Sequence, residues 1–305
     1  MSETPFRDGL ARFVFEHGPV RGAVVSLDDT RAGILGCHPY PAPLAHVLSE
    51  LIAAATLLAS ALKFGGSLIL QLQGDGPVRL IVVECDAQLA LRATAQWTDA
   101  IAAIGADADL ATLVGGAQRG RFAIMLDPKD GGPIYQGIVA LEAASVAGLI
   151  EHYLEASEQI PSRMLIQRDE ARVRGVLVQR LPGSPGDDPL WPRTDARMDM
   201  IGPRALLDAA NPATLLTDAF GEDDIRLFRV HPARFACSCT RERVENALRM
   251  IGQAEVEQIV LEQGEVRVTC EFCNRAYAFS PEAARALFAG PGRDAYDEAN
   301  HALRH

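Results

Sequence analysis

The chain has 305 residues, room for about two domains, and its 48% hydrophobic and 23% charged content excludes wholesale disorder. Twenty-nine Lys and Arg against 40 Asp and Glu leave a net charge of −11, the wrong sign for a general nucleic-acid binder or a polybasic membrane-surface protein. Six cysteines are too few for a disulfide scaffold, so their spacing matters more than their number.

Met1–Pro19 carries acids early and lacks the apolar run of a secretory signal. The expected location is cytoplasmic, where thiols stay reduced and paired cysteines point to metal or redox chemistry. A strand is predicted in Val20–Asp29. Leu44–Leu62 approaches the length of a membrane span, but His46, Ser49, Glu50, Thr56 and Ser60 interrupt it. A charge at a bilayer centre costs about 2.5–3.5 kcal/mol, so a buried core helix is predicted and no membrane partner. Gly65-Gly66 end it. Segments 67–73, 78–85 and 89–97 alternate as a β-meander, broken at Asp75-Gly76-Pro77 and Asp86-Ala87-Gln88. Strands follow at 121–127 and 135–141. A helix over 144–156 sets Val146, Leu149, Ile150 and Tyr153 on one face, and a second helix is predicted over 162–180. Residues 1–181 thus form a large α+β domain of antiparallel sheet and helices.

Leu181–Pro192, with four prolines and two glycines, marks a boundary. Thr194–Phe228 is helical in pattern, short and interrupted, with Pro203, Pro212 and Gly221 as breakers. It carries Leu206, Leu207, Leu215, Leu216, Ile225, Leu227 and Phe228 among many charges, a helical linker over 182–230. Such an amphipathic, broken segment suits a low-stability element packed weakly on the first domain.

The strongest signal lies near the C-terminus. Cys237-Ser238-Cys239 is followed, thirty residues on, by Cys270-Glu271-Phe272-Cys273. Four thiols in two close pairs meet the need of a tetrahedral zinc site and leave no open position for a catalytic water. Between them, Val244, Ala247, Leu248 and Ile251 share a helical face, with Thr240 as cap and Gly252 as stop. Val256, Ile259 and Val260 make a second stripe ended by Gly264. Val266 and Val268, then Tyr277 and Phe279, alternate as strands, and Ser280-Pro281-Glu282 opens a last helix. So small a module cannot rely on its own core, and loss of the metal would unfold it. On these residues alone a structural zinc ribbon, a redox switch and a thioredoxin-like dithiol all remain open. Cys37 and Cys85 read as core thiols and His231 as a surface residue.

FACSCTRERV (235–244) with VTCEFCNRAYAF (268–279) resembles the zinc module of the redox-regulated holdases, the 33-kilodalton heat-shock chaperone family. KFGGSLILQLQGDGPV (63–78), YQGIVAL (135–141) and YLEASEQIPS (153–162) carry the likeness into the first domain. It runs from about residue 6 to 290; Thr240 stands where a serine is common, and 291–305 fall outside as a tail. The resemblance implies an ATP-independent chaperone, not an enzyme, whose clients are unfolding proteins. In the reduced state one zinc per chain is held by Cys237, Cys239, Cys270 and Cys273, and the chaperone is inactive. Oxidation to Cys237–Cys239 and Cys270–Cys273 releases zinc, the linker (182–230) and the zinc domain (231–290) lose structure, and the active form is a homodimer. Two rivals are a nucleic-acid-binding zinc ribbon and a thiol–disulfide oxidoreductase. Six Arg against seven Glu from Arg234 to Arg275 disfavour the first, so no nucleic-acid partner is expected.

Overall fold

Residues 6–289 are described by the computed structural model, apart from 63–64, 117, 129, 142, 183–188 and 222. The chain divides into two compact units, Met1–Ala236 and Cys237–His305. The Pro/Gly-rich boundary at 183–188 and the tail 291–305 lie outside the described residues.

The first unit holds two sheets. One is built from β1 (Asp8–Phe15), β2 (Val20–Leu27), β8 (Ser162–Arg168) and β9 (Val173–Arg180), in the order β1-β2-β9-β8 and antiparallel throughout. The other contains β3 (Ser67–Gln73), β4 (Val78–Asp86), β5 (Ala90–Trp97), β6 (Arg121–Asp127) and β7 (Tyr135–Ala140), in the order β5-β4-β3-β6-β7. The meander read from residues 67–97 is present as β3-β4-β5.

Helix α1 (Asp29–Leu35) leads into α2 (Ala42–Ala61), which packs against β2, β8 and β9 of one sheet and β3 and β4 of the other. A helix enclosed on both sides must be apolar all round. That is why α2 has the length and composition of a membrane span while most of it is buried among the sheets. Its polar residues are satisfied in place. Thr56 Oγ1 donates to the Ile52 carbonyl at 2.7 Å, and Ser49 Oγ accepts from Arg31 Nε at 2.8 Å. Glu50 meets Arg168 at 3.3 Å; burial raises its pKa, and the guanidinium offsets part of that rise. Helix α3 (Leu110–Val114) lies against β4, and α4 (Val146–Ala156) lies against α2, β7 and β8.

One predicted element needs correction. The helix predicted over 162–180 is the β8–β9 hairpin. Asp169 turns it, its Oδ1 accepting from the Ala171 and Arg172 backbone N–H groups at 2.9 Å. Strand β9 is buried along almost its whole length, so its apolar run has no alternation to separate strand from helix. Strand β1, which the sequence reading passed over, forms the neighbour of β2.

The linker folds as α5 (Leu190–Met200), α6 (Pro203–Asp208) and α7 (Pro212–Phe220). Pro203 and Pro212 start α6 and α7, where a missing N–H costs nothing. These helices cover the outer face of the β1-β2-β9-β8 sheet. Leu190, Met198, Leu206, Leu215, Leu216 and Phe220 close a second core with Phe13, Phe15, Val20, Val24, Val176 and Val178. Contrary to the weak packing expected, these side chains are as buried as those of the main core, each contributing on the order of 1.5–3 kcal/mol. Asp223, nearly buried, receives Arg193 and Arg197, and Arg163 reaches from β8 to Asp195 and Asp199.

Beyond α7 the chain runs along the sheet edges as β10 (Ile225–Leu227) and β11 (His231–Pro232), both antiparallel to β1. Strand β12 (Arg234–Phe235) is parallel to β5. Phe235 packs on the main core beside Gly33 of α1, where a Cβ would lie 3.1 Å from its ring.

The second unit comprises α8 (Arg241–Ile251), α9 (Gln253–Gln263), the hairpin β13 (Val266–Thr269) with β14 (Ala276–Phe279), and α10 (Pro281–Ala286).

Candidate metal centre

The small unit brings its two cysteine pairs together by local chemistry. Thr240 Oγ1 accepts from the Arg243 N–H at 3.2 Å and starts α8 directly after Cys239. The β13–β14 hairpin, paired from Val266↔Phe279 to Thr269↔Ala276, carries Cys270 and Cys273 in its turn. There the Asn274 N–H donates to the Cys270 carbonyl at 2.8 Å, and the Cys270 N–H donates to the Arg275 carbonyl at 3.0 Å. Asn274 sits at φ +57°, a left-handed conformation that asparagine tolerates better than most residues. Its position directly after the CxxC is a turn signal legible in the sequence.

All four Sγ atoms lie within 4.8 Å of one another. Cys237 and Cys270 are 3.6 Å apart, and Cys239 and Cys273 3.3 Å. Thiolates held about 2.3 Å from a central ion in a tetrahedron have edges of roughly 3.8 Å, so these four residues fit a metal ion. Among the described residues the apolar support is slight: seven buried side chains, Leu248, Val256, Val260, Val266, Tyr277, Phe279 and Ala284. Arg241 lies over the Phe279 ring at 4.2 Å and covers one side of that cluster.

Tyr277, read from sequence only as an alternating strand residue, donates its hydroxyl to Cys239 Sγ at 3.2 Å. Burial opposes ionisation of Cys239, but donation from Tyr277 and the other thiols brings its pKa down to about 7. Cys273 is pushed up to about 12, by burial first and then by donating to its neighbours. Cys237 is raised as well, chiefly by burial. Donation from Tyr277 thus favours the thiolate form of Cys239. Metal capture has to displace the remaining protons, so retention weakens as pH falls. Tyr277→Phe removes the hydrogen bond and keeps the ring in the core. Chelator competition is expected to find metal retention about 10–100-fold weaker, with the fold intact; unchanged retention would show the hydroxyl to be idle.

The other two cysteines stand apart. Cys85 in β4 is fully buried, and burial drives its pKa far up. Cys37, expected in the core, is only half-buried: it lies just past Gly36 where α1 ends, its Sγ 3.2 Å from the Gly33 carbonyl. His231 is exposed in β11, within the first unit.

Fold and site together define a two-sheet α+β protein followed by a small four-thiol module able to hold a metal ion. The model of the family described as Hsp33 protein matches residues 8–280. The 33 kDa chaperonin of Methylobacillus flagellatus is 42% identical over 294 residues, covering 94% of this chain and 98% of that protein. The 33 kDa chaperonin of Pseudomonas aeruginosa PAO1 is 38% identical over 300 residues, covering 96% and 99%. In fold, the chain is similar to the crystal structure of the 33 kDa chaperonin (heat shock protein 33 homolog) from Thermotoga maritima. The TM-score is 0.77 at 22% identity, covering 92% of this chain and 98% of that one. The chain belongs to the Hsp33 family of chaperones.

Proposed function

We propose that the protein is a redox-regulated, ATP-independent holdase of the cytoplasm. In the reduced state Cys237, Cys239, Cys270 and Cys273 hold one zinc ion, which supplies a four-sulfur clamp and no open catalytic position. The single observation that carries this reading is the convergence of four sulfurs within 4.8 Å in a module with seven buried apolar residues among those described. Such a module depends on its clamp, and a clamp made of thiolates depends on their redox state.

Oxidation pairs Cys237 with Cys239 and Cys270 with Cys273. Each pair of thiolates gives two electrons to hydrogen peroxide, which takes up two protons from solvent and leaves as two waters, and no thiolate donors remain to hold zinc. These disulfides span one and two intervening residues, so they are strained and reversible by cellular reductant. The module (231–290) then unfolds, the connector (182–230) follows, and the surface beneath it becomes available to unfolding clients. The oxidised chain works as a homodimer, without catalytic turnover.

The test measures bound zinc, free thiols and suppression of client aggregation before and after oxidation under mildly unfolding conditions. One zinc per reduced chain, little holding activity, and a gain of activity as zinc leaves are expected. Equal activity in both states would refute the switch, and insulin disulfide turnover by the reduced protein would favour an oxidoreductase. Cys270→Ser is expected to lose zinc retention, whereas Cys85→Ser keeps it. Peptide mapping of the oxidised chain reads the pairing directly, since Cys237–Cys270 and Cys239–Cys273 are the cross-pairs whose sulfurs lie within 3.6 Å.

A further inference from the structure

The same stretch of chain seals one edge of each sheet in the first unit. Strands β10 and β11 lie along β1, and β12 lies along β5. In the β1–β10 ladder Phe13 faces Leu227, Val14 faces Arg226 and Phe15 faces Ile225. Glu16 N–H donates to the Asp224 carbonyl at 2.9 Å at one end, and Phe228 N–H to the Arg12 carbonyl at 2.8 Å at the other. Ile225 and Leu227 pack on the second core beside Phe13 and Phe15, while Arg226 is held by the Glu16 carboxylate at 2.8 Å.

This cover is short. Three residues of β10 and two of β11 shield an eight-residue strand; β10 ends the connector and β11 begins the stretch 231–290, both proposed above to lose structure. Removing it leaves β1 with a row of unpaired backbone N–H and C=O groups beside an apolar face, a template for another strand. Backbone pairing reads no side-chain identity, and the face asks only for apolar groups at alternate positions. That tolerance matches what unfolding proteins have in common.

We infer that β1, once β10 and β11 lift away, binds an extended client segment as a replacement strand, and that Ile225–Leu227 occupies this place in the resting chain as a built-in stand-in. This rests on the release of the connector proposed above. The segment it fits has apolar side chains two residues apart, set opposite Phe13 and Phe15, with a polar or cationic residue between them near Glu16. Strand β7 also presents an outer edge, with Ile134, Tyr135 and Ile138 exposed, but that edge is open in the resting chain and is not gated by the connector.

The test uses the full chain and a labelled peptide of residues 224–229, with a twin N-methylated at Arg226 and Phe228. Those two N–H groups face β1 by the alternation of an antiparallel ladder, and the twin keeps every side chain. The oxidised protein is expected to bind the unmodified peptide on the order of ten-fold or more tightly than the twin. The peptide, and not the twin, is expected to displace bound client, and the reduced zinc-bound protein should bind neither well. Client holding before and after oxidation, without peptide, reads the switch alone. An oxidised chain that holds client but binds both peptides equally, or neither, overturns the strand-addition site and leaves the switch standing. Equal binding of the peptide by reduced and oxidised protein would place it on β7 and overturn the inference. Selective peptide binding by an oxidised chain that holds no client would overturn the role in client capture. Loss of both activities would overturn the switch and this site together.

Discussion

Removing the metal with a chelator, or oxidising the two cysteine pairs, is expected to melt the second unit as a body while the first keeps its sheets. A structural zinc supplies about 10–16 kcal/mol of apparent folding free energy, as much as the entire stability of an ordinary domain. Here it would be set against a cluster of seven buried side chains among the described residues, one of which, Tyr277, also bonds to the Cys239 sulfur. Hydrogen exchange checks this directly. Amides of α8, β13 and β14 should exchange at the rate of unfolded chain once the metal is gone. Those of β3, β4 and β9, between and beside α2, should remain protected. Retained protection in β13 and β14 of the metal-free chain would show that the hairpin stands without its clamp, and a switch based on its unfolding would fall.

The second large effect is expected at Phe220. Its ring is buried at the end of α7 and meets Phe15 edge-on at 5.5 Å and 75°. Phe220→Ala should cost about 3–5 kcal/mol, taken from the docking of the connector and not from the metal site. The variant is therefore expected to hold clients while still reduced, with its zinc bound and its thiols free. Aggregation suppression together with a zinc count separates this from ordinary oxidation, and Phe220→Leu, which retains most of the volume, should behave nearly as the parent. A reduced Phe220→Ala chain that loses protection in α5–α7 yet holds no client would show that uncovering the sheet is not sufficient.

How much of this was legible beforehand follows from where side-chain chemistry is local. The CxC and CxxC pairs, the Thr240 cap and the Gly252 and Gly264 stops depend on neighbours within a few residues, so the small module could be read element by element. Gly252 and Gly264, at φ +102° and +80°, end their helices as expected. The β8–β9 hairpin was lost because β9 is enclosed by sheet neighbours on its edges and by α2 and the connector on its faces, leaving no polar side to mark its period. Strand β1 pairs with its neighbour β2 in a local hairpin, but its cover by β10 and β11 depends on pairings more than two hundred residues apart, which no local pattern encodes. At the four-cysteine cluster, the Tyr277 hydroxyl was hidden for a different reason. Alternation places its ring in the core, and only the fold aims its oxygen at Cys239.

Cys85, sealed within β4, makes the chain its own reference for thiol chemistry. With the metal removed by a chelator, a reagent applied to the native protein samples Cys37 and the four clustered sulfurs and is kept from Cys85, whose burial also holds it protonated. Denaturant adds that one thiol to the count. The native–denatured difference should therefore stay at one per chain however far the cluster has been oxidised, and a change in it would report that the first unit itself has opened.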